Sequence, residues 1–381
     1  MFDTRFMRLA LLLARRGYGS TSPNPMVGAV LAKRGVVIGQ GWHRRAGTPH
    51  AEIEALQDAE RHGYSPNGAT LYVTLEPCCT HGRTPPCTKA IIAAGIQRVV
   101  AGATDPNPKH AGRGFRILRN AGIQIVREVL ADEVIRLNES FNHWIFHRTP
   151  FVTVKAAMTL DGKIASASGE SKWITSERAR ETGIRLRHGC DAILVGINTV
   201  LADNPRLTSR KMQVAKPLRR IILDSTARTP LTANVASDEN AVDTTVVVSR
   251  AAPPRRVAAL AKRVNVLVAP LAEPETRGPH FAMRRKEIDL RWLLKRLGRE
   301  SVTSLLVEGG GEVNASFLLG GLAHRVVFFY APKILGGRDA RRAVAGDGAR
   351  AWNEVLKLRD LEWRRVGPDL MLTARTGVLR R

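Results

Sequence analysis

The sequence predicts an α/β protein folded as two domains, on three observations. Its 381 residues exceed one typical domain. In both halves, short apolar runs of strand type alternate with helix-type segments, the pattern of helices packed on the faces of a mixed sheet. Between the halves, Arg148-Thr149-Pro150 ends a helical stretch, because the residue before proline is pushed out of the α region, and Phe151 begins a new strand. The boundary is placed near 148, giving domains of 1–148 and 149–381. Neither an internal repeat nor a low-complexity linker is visible.

Composition narrows the partners. At 44% hydrophobic and 24% charged residues, the chain has material for a buried core. Four cysteines are too few for a disulfide framework, and three of them fall between 78 and 87, which implies a reducing, cytoplasmic setting. Basic residues outnumber acidic ones by 59 to 34. They are spread along the chain without a nucleic-acid motif, so the charge is assigned to solubility and phosphorylated small molecules, and no nucleic acid is expected. Arg5 and Arg8 ahead of Leu9 to Ala14 imitate a secretion signal. The apolar stretch is too short for one and Arg15-Arg16 follows it, so an amphipathic surface helix is the better reading. No run approaches the roughly 18 apolar residues of a membrane span, and no membrane partner is expected.

In the first half, residues 3–16 read as a helix and 17–25 as a loop of turn formers. Residues 27–32 and 36–41 form a hairpin across Lys33-Arg34-Gly35. His50 opens a helix to about Arg61; 70–74 is a strand, 87–94 a helix stopped by Gly95, 98–103 a strand, 112–120 a helix, 123–126 a strand and 131–146 one helix. In the second half, strands are expected at 151–157, 192–195, 220–223, 245–249, 264–268, 305–307 and 325–330. Helices are expected near 176–187, 289–297 and 312–319, with loops over 227–243 and 270–286.

The chemistry-bearing stretch is His50-Ala51-Glu52 with Glu76-Pro77-Cys78 and, after eight intervening residues, Cys87. One imidazole and two thiols give zinc three of its four tetrahedral ligands and leave a position for water, as in catalytic sites. Glu52 can reach that water without binding the metal and move its proton. At a helix start, Cys87 is expected to be held as thiolate by the helix dipole. A structural zinc would need a fourth protein ligand. Cys79, next to Cys78, should point elsewhere, and His81 sits in a Gly/Pro-rich loop suited to substrate. In the second half, Val307-Glu308-Gly309-Gly310-Gly311-Glu312 sets three glycines between a buried strand and a helix, where backbone N–H groups can approach a diphosphate.

His-x-Glu followed by Pro-Cys resembles the zinc deaminases, whose second cysteine usually follows after two residues rather than eight. The longer spacing is similar to that of the bifunctional deaminase-reductases of riboflavin biosynthesis. So are Pro23-Asn24-Pro25-Met26-Val27-Gly28, Gly41-Trp42-His43, Asp105-Pro106-Asn107-Pro108 and, in the second half, Leu160-Asp161-Gly162-Lys163, Ser168-Gly169-Glu170-Ser171-Lys172-Trp173, Val200-Leu201-Ala202-Asp203-Asn204-Pro205 and Leu223-Asp224-Ser225. This resemblance implies a cytidine-deaminase-like α/β/α domain followed by a dihydrofolate-reductase-like α/β domain. It places Asn24 and His43 at a pyrimidine, and Arg83 and Asn107 toward its ribose phosphate. Along NADPH it places Ala157, Trp173, Thr199, Asp203, Ser225, Gly310, Gly311, Glu312, Val313, Asn314, Ala315 and Ser316. At the reductase substrate it places Ser171, Arg187, Leu207, Arg210 and Glu308, with Lys155 and Asp161 as further candidates. Where the family often has His, this chain has Thr80.

The implied activity is zinc-dependent deamination of a phosphoribosylaminopyrimidinone followed by NADPH-dependent reduction of its ribosyl side chain. The implied cofactors are one Zn2+ per chain and NADPH; the partner is a phosphorylated pyrimidine, and a homo-oligomer is left open. A nucleoside or tRNA adenosine deaminase shares the zinc motif but lacks the second domain. A zinc-stabilised nucleic-acid-binding protein would have no need of Glu52.

Overall fold

The computed structural model describes residues 2–81, 85–108, 110–209, 217–272 and 287–377. The chain forms two compact units, Met1–Arg148 and Thr149–Arg381.

In the first unit, α1 (Phe2–Ala14) leads into the hairpin of β1 (Gly28–Lys33) and β2 (Val36–Trp42). Arg34 and Gly35 turn it at φ 52° and 79°, the two-residue connection that strand twist favours. There follow α2 (Ala51–Arg61), β3 (Thr70–Leu75), α3 (Cys87–Ala93), β4 (Arg98–Ala103), α4 (Arg113–Asn120), β5 (Gln124–Val126), α5 (Ala131–Leu137) and α6 (Glu139–His147). The sheet order is β2-β1-β3-β4-β5, antiparallel around β1 and parallel from β3 to β5. Strand alternation decides the layering. Leu31, Val73 and Val99 pack with Ala55, Ile91 and Phe115 of the helices on one face. Val30, Tyr72 and Val100 pack with Phe6, Met7 and Ala10 of α1 on the other. The unit is an α/β/α layer structure.

The single helix expected over 131–146 is two helices. They part at Asn138, whose buried amide accepts from the Met26 N–H at 2.8 Å and donates to the Met26 carbonyl at 2.9 Å. Satisfying that distant loop holds Asn138 outside helical geometry. Asn138→Ala leaves both Met26 groups unpaired and is expected to lower unfolding stability by roughly 2 kcal/mol, read as a lower denaturant midpoint with unchanged slope.

The second unit runs β6 (Phe151–Thr159), β7 (Lys163–Ala165), α7 (Glu177–His188), β8 (Ala192–Gly196), α8 (Ile197–Asp203), β9 (Arg219–Leu223), α9 (Asn234–Ser237), β10 (Thr244–Ser249), α10 (Pro254–Ala261), β11 (Asn265–Ala269), α11 (Leu290–Arg299), β12 (Ser304–Val307), α12 (Gly311–Leu319), β13 (Arg325–Ala331), β14 (Arg341–Arg342), β15 (Leu358–Val366) and β16 (Asp369–Thr376). Its main sheet is ordered β11-β10-β9-β8-β12-β6-β13-β16-β15. Pairing is parallel from β11 to β13, then antiparallel through the final hairpin. A parallel sheet is covered on both faces, which is why these strands read as unbroken apolar runs. Leu194, Leu305 and Val307 pack on Leu293, Leu297 and Phe317; Ile193, Ile222 and Val246 pack on Val200, Val235 and Leu260.

Helices α8, α9 and α10 and strands β7 and β14 to β16 are not among the sequence expectations. β15 is exposed along most of its length, so it carries no apolar alternation to read. α9 falls inside the expected loop 227–243. No helix among the described residues is long and apolar enough to cross a membrane.

Candidate active sites

The first site lies at the carboxyl ends of the parallel strands β3 and β4, where α/β sheets bind ligands. The chain leaving β3 carries Cys78, α2 begins just past His50, and α3 begins at Cys87. His50 Nδ1 lies 3.5 Å from Cys78 Sγ and 3.3 Å from Cys87 Sγ, and the three donor atoms are within 4.8 Å of one another. Tetrahedral zinc, with Zn–N near 2.0 Å and Zn–S near 2.3 Å, needs N···S edges of roughly 3.5 Å. Both N···S edges therefore match those of a zinc-bound set. Among the described residues no fourth His, Cys, Asp or Glu joins the group. Cys79 turns instead to His110, Sγ to Nδ1 3.7 Å, and His81 is exposed.

The two helix starts act differently from expectation. The Cys87 N–H donates to Cys78 Sγ at 3.2 Å, so the first free amide of α3 serves Cys78 rather than Cys87. Hydrogen bonds from the Cys87 thiol and from His50 lower Cys78 to about 4 despite its burial. The neighbouring Cys78 sulfur, and burial, push Cys87 up. Cys78 is the first thiolate of the pair. Hydrogen bonding to Cys78 raises His50. Glu52, on the first turn of α2, is 4% exposed, and burial pushes it up to about 7.

Asn24 and His43 form one pair beside this set. His43 Nε2 faces Asn24 Nδ2 at 3.1 Å, and its Nδ1 faces the Pro49 carbonyl at 3.1 Å. A carbonyl can only accept, so His43 carries its proton on Nδ1 and accepts from Asn24 through Nε2. Its ring meets that of His50 edge-on at 5.3 Å, and burial lowers its pKa. Asn107 lies in the loop after β4, its N–H donating to Asp105 Oδ1 at 2.8 Å. Thr80 Oγ1 is 3.5 Å from His110 Nδ1. Arg83 lies outside the described residues.

Sequence reasoning did not single out Glu76. Its buried carboxylate accepts from the N–H groups of Asp105 (3.2 Å), Gly112 (2.9 Å), Gly114 (2.9 Å) and Phe115 (3.3 Å). It fixes the loop carrying Cys78 to the start of α4. The available signal was an acid closing an apolar strand immediately before Pro-Cys.

The second site starts where β12 ends. Arg187 from α7 grips Glu308 bidentately, both bonds 2.9 Å, and Lys155 Nζ from β6 stands 3.5 Å from Oε2. Burial would raise Glu308, but the charges of Arg187 and Lys155 outweigh it and hold the carboxyl at about 2. This triad lines a chamber of about 550 Å³ with Ala157, Ser171, Trp173, Leu207 and Asn314. Thr199, Asp203, Ser225, Gly310, Gly311, Glu312, Val313 and Ser316 line a larger chamber of about 1020 Å³. Ser171, Thr199, Asp203 and Gly310 line both, and Ser171 Oγ donates to Asp203 Oδ1 at 3.3 Å. The two chambers are one cleft with a waist at these residues.

Some expected residues fall elsewhere. Ala157 and Trp173, expected along the cofactor, line the smaller chamber. Trp173 is 65% exposed, with the Arg180 guanidinium 4.5 Å from its ring, so it is not a core residue. Ala315 is buried on the inner side of α12 and lines neither chamber. Asp161 also lines neither. Its carboxylate accepts from Thr159 Oγ1 (2.6 Å) and the N–H groups of Leu335 (3.1 Å) and Gly336 (2.8 Å), tying two loops together. Arg210 lies outside the described residues. Arg338, Arg341 and Arg342, which sequence reasoning passed over, line the larger chamber.

Three zinc-type ligands beside a buried carboxyl in one unit, and a two-chambered α/β cleft in the other, define a deaminase joined to a reductase. Residues 1–103 match the cytidine and deoxycytidylate deaminase zinc-binding region, and residues 150–372 match the RibD C-terminal domain. The chain belongs to the riboflavin biosynthesis protein RibD family, whose members join a deaminase to a reductase. It is 42% identical over 370 residues to the RibD of Aquifex aeolicus, covering 97% of each chain. It is 38% identical over 374 residues to that of Escherichia coli, covering 98% of this chain and 99% of the relative. A solved structure of Acinetobacter baumannii RibD superposes with a TM-score of 0.84 at 36% identity, over 98% of this chain and 99% of that one. A Thermotoga maritima structure, described as a diaminohydroxyphosphoribosylaminopyrimidine deaminase/5-amino-6-(5-phosphoribosylamino)uracil reductase, gives 0.80 at 35% identity, with the same coverage.

Proposed function

We propose that this chain deaminates 2,5-diamino-6-(5-phosphoribosylamino)pyrimidin-4(3H)-one in its first unit and reduces the ribosyl side chain of the product in its second, giving 5-amino-6-(5-phosphoribitylamino)uracil. The observation that carries the reading is the pairing, in one chain, of the His50, Cys78 and Cys87 donor set beside Glu52 with the cleft built on Glu308.

His50, Cys78 and Cys87 would hold zinc. Zinc so held supplies a nucleophile near neutrality, because it lowers the pKa of water from about 15.7 to about 7. Glu52 takes the proton and returns it to the amino nitrogen at C2, so that ammonia leaves and a uracil ring remains. Asn24 and His43, already locked to each other, orient the pyrimidine, while Asn107 lies toward the ribose phosphate.

In the second unit the larger chamber would hold NADPH, which supplies a hydride to the sugar C1. Ser171, Leu207, Arg187 and Glu308 hold the pyrimidine nucleotide in the smaller chamber. Reduction at C1 breaks its bond to the ring oxygen, and that oxygen takes a proton. Lys155, the ammonium lining the chamber beside Glu308, is placed to give it. Reduced thiols and NADPH both suit the cytoplasm.

Cys78→Ser is expected to stop deamination while leaving reduction of supplied deaminated intermediate within about twofold of wild type. The paired assays are ammonia release and loss of NADPH absorbance. A folded variant that has lost both activities would count against separate sites.

A further inference from the structure

We infer that Arg341 and Arg342 form a cationic clamp on the diphosphate of the dinucleotide; the inference rests on the reductase reading above. These residues make up β14, which pairs with β7 through Arg341 with Ala165 and Arg342 with Lys163. The segment that follows is pinned across the start of α12. Ala345 N–H donates to the Gly311 carbonyl at 3.1 Å, Asn314 Nδ2 to the Ala343 carbonyl at 2.8 Å, and Ala343 N–H to the Gly162 carbonyl at 3.0 Å. The approach is so close that a Cβ on Gly311 would stand 2.4 Å from the Arg342 carbonyl oxygen. Glycine at 311 therefore admits the strap as well as a ligand.

The consequence is electrostatic. Both arginines line the larger chamber beside Gly309, Gly310 and Gly311, and neither guanidinium has an ion-pair or hydrogen-bond partner among the described residues. The start of α12 offers about half a positive charge to an anion. Glu312 on its first turn, with Asp203 and Glu287, brings negative charge to the same walls. A helix start so flanked is a poor site for a diphosphate. The two guanidiniums, with Arg338 on the same walls, offset the three carboxylates, and their planar forks match phosphate oxygens. A second pointer lies on the same helix: Asn314 Oδ1 is buried, has no hydrogen-bond partner among the described residues and belongs to a residue lining the smaller chamber. The start of α12 thus presents groups for a ligand on both sides of the waist.

The test is the dissociation constant of NADPH and of NADH, read by cofactor fluorescence, for the full-length R341A/R342A and R341K/R342K proteins. The alanine pair should weaken both dinucleotides by a similar factor, roughly 10- to 100-fold, as expected for losing charge-assisted bonds. Its binding should also depend less on salt. The lysine pair should recover part of the loss, and deamination should stay within about twofold. Loss for NADPH alone would move the arginines to the ribose 2′-phosphate and overturn the clamp; unchanged affinity for both would also overturn it. A wild-type protein that binds neither dinucleotide overturns the reductase reading, and the clamp with it.

Discussion

Glu52→Gln protein is expected to purify with its full complement of zinc yet release ammonia roughly 10² to 10⁴ times more slowly than wild type. The substitution preserves shape and removes only the ability to accept and return a proton. Glu52 is not one of the three clustered donor atoms, so the metal should stay. Elemental analysis and a coupled ammonia assay on the same preparation separate the two effects. Near-normal turnover would remove Glu52 from proton transfer, and loss of zinc would make it a support for the metal instead.

The second large effect is expected at Glu308. Its removal leaves the Arg187 and Lys155 side chains, 22% and 18% exposed, facing each other without a counter-charge. Breaking a buried ion pair in this way costs on the order of 3 to 5 kcal/mol; the partial exposure here favours the lower end, about 3 kcal/mol. Glu308→Ala should therefore unfold at lower denaturant and lose reductase activity, while Glu308→Gln should fold better than the alanine variant and still reduce poorly. Acid sensitivity gives an independent check. The folded carboxyl sits at about 2 against an ordinary 4.5, so the stability it contributes is complete above 4.5 and lost as the pH falls toward 2. The alanine variant should show a flatter stability profile across that window. An unfolding transition that matches wild type would mean the triad carries no net stabilisation.

The residues that were legible in the sequence are those whose chemistry is local. His50 and Glu52 share a helix start, and Cys78 and Cys87 flank one loop, so residue type and spacing sufficed to group them. The parallel strands announced themselves by unbroken apolar runs, and the Arg34-Gly35 turn by its composition. What was missed depends on partners distant in sequence. Glu76 is explained by amides 29 to 39 residues away, and the break at Asn138 by a loop 112 residues away. The ionisation of the two cysteines turns on the hydrogen bonds that Cys78 receives from the Cys87 thiol and from His50, which spacing does not encode. Asp161, in a matching motif, has hydrogen bonds that hold two loops together, a role that its motif alone does not announce.

Because Ser171, Thr199, Asp203 and Gly310 belong to both chambers, whatever fills the larger one becomes part of the wall of the smaller. On the proposed function, the affinities for dinucleotide and sugar phosphate are then thermodynamically linked, by the same factor in either direction. Titrating one ligand in the presence of the other would measure that shared factor directly.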